Sequence, residues 1–201
     1  MINEADEIMI NGFLLEGEDR EYYLLNKPRG VITSVSDEKG RKTVMELIPS
    51  EKRLYPVGRL DYHTTGLILI TNDGDLANLL MQPHNKIEKQ YVVKIAGKLT
   101  LEDQKKLCQG VIIDEYLTKP AKIKKVQYDK KKNTTIFTLI IHEGRNQQIK
   151  KMIETTGKKV LKLKREAIAF LTIDNLPSGH YRQLTLKEIK KLYNLVKNNI
   201  N

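Results

Sequence analysis

Hydrophobic positions in this chain come mostly in short runs of strand length separated by polar turns, with only a few stretches at helical spacing. Tyr22-Tyr23-Leu24-Leu25-Asn26 reads as a buried strand. The turn Lys27-Pro28-Arg29-Gly30 ends it, because proline and glycine together favour a chain reversal. Val31 to Ser34 is expected to continue extended, Ser36 to Lys42 to form a polar loop, and Thr43 to Ile48 to make one or two helical turns stopped by Pro49. The continuous apolar run Leu67-Ile68-Leu69-Ile70-Thr71 has the length of a buried strand. Beyond Asn72-Asp73-Gly74, Leu76, Leu79 and Leu80 recur at helical spacing between Asp75 and Met81. Tyr91 to Ile95 alternates and predicts another strand.

The second half continues the mixture. Thr100-Leu101-Glu102-Asp103 opens a helix that runs to Gly110. Residues 121–128 and 134–141 predict a hairpin across the charged turn Asp129 to Asn133. Asn146 to Thr155 is helical and stops at Gly157, whereas Val160 to Arg165 and Ala167 to Ile173 are extended. Thr185-Leu186-Lys187-Glu188 is a capping box that starts the last helix, which frays into Asn198-Asn199. Strands and helices do not alternate regularly, so the expected class is α+β with a mixed, largely antiparallel sheet flanked by helices.

Composition narrows the function. The 201 residues hold one cysteine, Cys108, and four scattered histidines, which excludes an intrachain disulfide and a thiolate zinc site. No apolar run approaches the ~20 residues of a membrane helix. The expected setting is a reducing cytoplasm. The net charge of +10 is uneven: residues 1–25 carry seven acids and one base, while residues 120–201 hold 19 basic and six acidic residues. An excess confined to one region fits a polyanion, and nucleic acid fits better than membrane because no basic amphipathic helix with large apolar anchors is present.

Three constellations could carry chemistry. In Val57-Gly58-Arg59-Leu60-Asp61-Tyr62-His63-Thr64-Thr65-Gly66-Leu67, a carboxylate stands in a glycine-bordered turn just before an apolar strand. Asp61 there is a nucleophile, a general base, or a cap on the turn's N–H groups. Arg59 is a phosphate contact or a surface charge. In His142-Glu143-Gly144-Arg145-Asn146-Gln147-Gln148-Ile149-Lys150-Lys151-Met152, Arg145 suits a bidentate bond to carboxylate or phosphate at a helix start. Tyr91, behind the charged segment Lys86 to Lys89, is a core aromatic or a stacking surface for an unpaired base.

Taken in order, Lys27-Pro28-x-Gly30, Gly58-Arg59-Leu60-Asp61 with Thr64-Thr65-Gly66, Lys89-x-Tyr91 and Gly144-Arg145-Asn146-x-Gln148 resemble the RsuA-type pseudouridine synthases, which isomerise uridine in bacterial ribosomal RNA. The match runs from about Tyr22 to Leu186 and takes in Leu161 to Arg165 and Arg182 to Thr185. The resemblance implies a pseudouridine synthase fold with two lobes around a central RNA-binding cleft. It also implies a reaction without cofactor or metal, a target in ribosomal RNA, more so of the large subunit, and a monomer. It assigns Asp61 as the catalytic carboxylate, Arg145 as its cationic partner and Tyr91 as the residue packed on a flipped base. Arg59, Gln148, Lys150 and Lys151 are then expected to line the RNA cleft, and Leu163 to form an apolar wall against the base.

Two departures stand out. Family members usually have arginines where Gln147, Lys150 and Lys151 stand, and lysine keeps the charge without the planar fork. Many members also begin with a small ribosomal-protein-type RNA-binding module. Ala5 to Gly12 resembles that module's last strand, so the chain is expected to be either a trimmed catalytic fragment or a naturally short member with a remnant, residues 1–20 being the acidic segment and residues 21–201 the catalytic domain. The competing readings are an inactive RNA-binding module on the same fold and a metal-dependent nuclease. The nuclease is disfavoured because no carboxylate cluster accompanies Asp61.

Overall fold

The computed structural model describes residues 9–10, 13–14 and 19–198. The proposed acidic remnant therefore lies mostly outside the described residues, as does Asn199 in the expected fraying of the last helix. Within the described residues, β1 (Met9–Ile10) and β2 (Phe13–Leu14) pair antiparallel. In chain order there follow β3 (Tyr22–Lys27), β4 (Tyr55–Val57), β5 (Thr65–Thr71), α1 (Gly74–Met81), β6 (Lys89–Ala96) and α2 (Leu101–Gln109). Next come β7 (Ile112–Ile113), β8 (Tyr116–Leu117), β9 (Lys122–Asp129), β10 (Thr134–Ile141) and α3 (Gln148–Glu154). The chain ends with β11 (Val160–Ile168), β12 (Leu171–Thr172), β13 (Tyr181–Gln183) and α4 (Leu186–Asn198). Short 3-10 turns occupy Met45–Leu47 and Pro83–Asn85.

A nine-stranded sheet in the order β13-β3-β5-β11-β6-β10-β9, with β4 on β5 and β12 on β11, forms the frame. The class is α+β and largely antiparallel, as expected. One junction differs. β5 and β11 run parallel and pair only through Lys164 with Thr65 and Arg165 with Gly66. Two antiparallel lobes thus meet along a seam two residues long, and the cleft described below opens beside it.

Because side chains alternate across a strand, β3 and β5 feed two cores. Leu25, Ile68, Ile70, Val93, Ile95, Phe137 and Leu139 face one side, under Leu107 of α2 and Ile149, Met152 and Ile153 of α3. Leu24, Leu67 and Leu69 face the other, under Leu76, Ala77 and Leu80 of α1 and Leu192 and Val196 of α4. The Thr185–Glu188 capping box is present: the Thr185 N–H donates to Glu188 Oε2 at 2.8 Å, and the Glu188 N–H donates to Thr185 Oγ1 at 3.3 Å.

Two expectations change. Val31 to Ser34 is a bend with a single bridge, Ile32 to Thr43, since no strand lies alongside to complete a ladder. The two extended segments predicted around Glu166 are mainly one strand, Val160–Ile168, which absorbs irregularities near Leu161 and Glu166 as bulges against β6.

Candidate active site

Asp61 sits in the connection from β4 to β5, and that connection is held from several sides. Leu60 is buried in the first core. The Thr33 hydroxyl donates to the Leu60 carbonyl at 2.9 Å and accepts from the Leu60 N–H at 3.3 Å. The Gly30 N–H donates to the Tyr62 carbonyl at 2.9 Å, and Lys27 Nζ donates to the carbonyls of Thr64 and Pro28, each at 3.0 Å. The Lys-Pro-x-Gly turn and the aspartate turn are therefore fastened together. Lys27 is wholly buried, and burial pulls its pKa down to about 8 while the Asp61 charge opposes the fall. In the sequence Lys27 stands only as part of a turn. A lysine closing a buried strand was the available signal.

The Asp61 side chain does not cap its turn. A backbone bond closes the turn, Thr64 N–H to Asp61 carbonyl at 3.0 Å. Oδ2 instead accepts from Lys150 Nζ at 2.5 Å, and both side chains stay more than a quarter exposed. Lys150, rather than the expected Arg145, is therefore the cation on the carboxylate. The loop before α3 explains the difference. Gln148 Oε1 accepts the Arg145 N–H at 3.0 Å, and Gln148 Nε2 donates to Glu143 at 2.6 Å. Gln147 adopts a left-handed φ of 51°. This loop carries Arg145 toward β8, where its guanidinium lies 3.3 Å from the centre of the Tyr116 ring. Lys151, about 100° further round the helix, pairs with Asp114 instead.

Gln148 was expected to face RNA. It is buried, and its amide is spent on the loop. Its partner Glu143, also buried, accepts from the Tyr116 hydroxyl at 3.2 Å and the Lys119 N–H at 3.0 Å. Glu143 and Tyr116 were not singled out in the sequence, because their importance depends on a contact between segments 27 residues apart.

Tyr91 projects from β6 directly opposite Arg165 of β11. With Leu163, Lys89, Asp61 and Arg59 they line a cleft of about 580 Å³, within the range of small-molecule sites. Lys89 is shifted down to about 8, first by burial and then by the nearby Arg165 charge, with Glu143 opposing. Arg59 and Arg145 are exposed at the rim. Asp61 offers a part-exposed carboxylate and Tyr91 a phenol, beside the apolar Leu163 and the exposed cations Arg59 and Arg145, which suits a planar base carried on an anionic backbone. Among the described residues, no three His, Cys, Asp or Glu side chains are grouped to hold a metal ion, and no helix is long and apolar enough to cross a membrane.

Comparison with known proteins bears on this geometry. Ribosomal large subunit pseudouridine synthase B of Bacillus subtilis (strain 168) is 48% identical over 192 residues, covering 95% of this chain and 79% of that protein. Dual-specificity RNA pseudouridine synthase RluF of Escherichia coli (strain K12) is 34% identical over 200 residues, covering 98% of this chain and 67% of that one. A solved pseudouridylate synthase structure superposes with a TM-score of 0.79 at 33% identity, covering 96% of this chain and 82% of its own. A family model described as RNA pseudouridylate synthase matches residues 21–155, a span that holds Asp61, Tyr91, Arg145 and Lys150. With the same fold, the same span and identity on this scale, the chain belongs to the RNA pseudouridylate synthase family.

Proposed function

We propose that this protein converts a specific uridine of large-subunit ribosomal RNA to pseudouridine, with Asp61 as the reacting carboxylate. One observation carries the reading. Asp61 stands on a turn fastened from several sides, keeps a part-exposed carboxylate whose one ion pair among the described residues is with Lys150, and opens onto a cleft shared with Tyr91. The name of the relative from Escherichia coli supports RNA as substrate, and that of the relative from Bacillus subtilis favours the large ribosomal subunit.

In this reading the target uridine leaves its stack and enters the cleft, at a cost of roughly a few kcal/mol. Contacts from Arg59 and Arg145 to flanking phosphates offset that cost. Leu163 and Tyr91 enclose the base. The uracil is then released from C1′ of the ribose, turned, and rejoined through its C5, and the C5 proton is lost to a base. Asp61 either adds to the sugar or base or removes a ribose proton, and both routes begin from an ionised carboxylate. Lys150, on Oδ2, holds it in place. Tyr91 packs on the base and assists removal of the C5 proton.

The test is genetic. Ribosomal RNA from a deletion strain is mapped for pseudouridine after complementation with wild type or Asp61→Asn. A uridine restored by wild type and left unmodified with Asp61→Asn is the expected result. Equal restoration by both would remove Asp61 from the chemistry, and an unchanged map on deletion would leave an RNA-binding module without activity.

A further inference from the structure

Arg165 is only 3% exposed, yet it lines the cleft and its charge is poorly compensated. Nε donates to the Leu67 carbonyl at 2.7 Å, and Nη1 lies 3.5 Å from the Tyr91 hydroxyl. Nη2 is buried with no hydrogen-bond partner among the described residues. A second cation, Lys89, is close enough for the Arg165 charge to depress its pKa. A buried guanidinium with an orphaned N–H and a like-charged neighbour is a poor choice for packing alone. A leucine or methionine would fill the same space without desolvating a charge.

The position of Arg165 explains why a charge is kept there. It lies on the two-residue seam between the lobes, opposite Gly66 on the parallel side and Tyr91 on the antiparallel side. Gly66 has φ +107°, and a Cβ there would fall 2.1 Å from the Arg165 carbonyl oxygen, so the two backbones are in close contact. Just past this seam the β5–β11 pairing stops, and the Arg165 side chain takes the Leu67 carbonyl, one residue further along β5. That strand, β5, is fed directly by the Asp61 turn.

We propose that Arg165 is a positioning residue that sets the Tyr91 hydroxyl relative to Asp61, by bridging β5 and the phenol oxygen across the seam. The proposal rests on the reading of Asp61 and Tyr91 as the reacting pair. A guanidinium can do this because its rigid fork presents separate donors to the carbonyl and the phenol, whereas an ammonium on the same strand is a single point. The 3.5 Å contact is long, as such contacts are before substrate binds, and it tightens when a base closes against Tyr91.

The experiment is a double-mutant cycle with Tyr91→Phe, Arg165→Met and the pair. The probe is an unmodified large-subunit ribosomal RNA transcript labelled with tritium at uridine C5. Single-turnover tritium release, RNA affinity and melting temperature are measured for each variant. Tyr91→Phe and Arg165→Met are each expected to slow release at least tenfold with RNA affinity changed less than threefold. Adding Arg165→Met to Tyr91→Phe is expected to slow release less than twofold further. Arg165→Lys is expected to stay as slow as Arg165→Met, and it carries the test alone if the methionine variant does not fold. Full additivity, full rescue by Arg165→Lys, or losses that follow melting temperature would overturn the proposal. Normal release by Tyr91→Phe would instead sink the underlying reading of Tyr91, and the Arg165 proposal with it.

Discussion

Asp61 and Asp73 stand at the two ends of β5, one just before the strand and one just after it, and their surroundings are opposite. The Asp73 side chain is 1% exposed. Its Oδ1 accepts the Leu76 N–H at 3.1 Å and so caps α1, while Oδ2 accepts the hydroxyls of Tyr22, at 2.6 Å, and Tyr193. The Arg20 guanidinium lies 3.6 Å away. Burial pushes the Asp73 pKa up, but the two hydroxyls, the amide and Arg20 outweigh it and hold the carboxyl below its ordinary value. The Asp61 side chain is 29% exposed and has one partner among the described residues, Lys150, through one oxygen. A carboxylate saturated with donors holds a structure together. One left with a single cation and an open face remains available to react.

Asp61→Asn is the largest expected effect. It lowers turnover by roughly a thousandfold or more, the scale seen when a reacting or transition-state group is removed. Its melting temperature stays within about 2 °C of wild type, as for an exposed substitution in a protein of this size. Tritium release and a thermal melt report the two quantities separately, and a large loss of stability would make Asp61 resemble Asp73 after all.

Lys150→Met is expected to reduce turnover by about ten- to a hundredfold, because the carboxylate loses the cation that orients it. Lys150→Arg retains most activity, since charge and reach are kept. If Lys150→Met turned over normally, the ion pair would be incidental.

Asp73→Ala inverts the pattern. Loss of the helix cap (about 1 kcal/mol) and of the acceptor for two part-buried tyrosine hydroxyls (about 1–3 kcal/mol together) lowers the melting temperature by roughly 5–15 °C. Activity per folded molecule, assayed well below the melt, stays within about twofold of wild type by expectation. A loss of turnover beyond that would show that the far end of β5 reaches the cleft.

The smallest effect is on pH dependence. Because the folded-state pKa of Asp73 is depressed, its stabilisation is fully present above the unfolded-state value of about 4 and is lost as pH falls through the lower folded value. The urea-midpoint advantage of wild type over Asp73→Ala is therefore expected to shrink between about pH 5 and pH 3. Glu188, drawn down to about 2 by the Arg182 hydrogen bond, loses its contribution over the same acid limb, as both proteins share it. A constant difference across this range would mean that Asp73 acts through packing alone.

Much of this was legible before any coordinates. The strand-length runs at Tyr22–Asn26 and 134–141 and the capping box at Thr185 gave correct elements, because burial of a short apolar run in a sheet and satisfaction of helix-end N–H groups are local constraints. Asp61 was identifiable as a candidate, although the residues alone left it open between capping and chemistry. Its cation was misassigned. Arg145 and Lys150 are both plausible along a line of sequence, and only the turn of the loop around Gln148 decides which one reaches the carboxylate.

The sequence by itself determined the class of fold, the basic second half and the turn that presents Asp61, since each follows from spacing, composition and local backbone preference. The tertiary structure decided the rest: Lys150 against Asp61, Arg145 against Tyr116, the buried bonds of Gln148 and the seam at Arg165. Lys150 lies 89 residues from Asp61 and Arg165 98 residues from the Leu67 carbonyl, while the short-range Gln148 bonds depend on how the loop enters α3. Side-chain reach, strand register and burial settle such choices, and none of these is a property of a residue's neighbours along the chain.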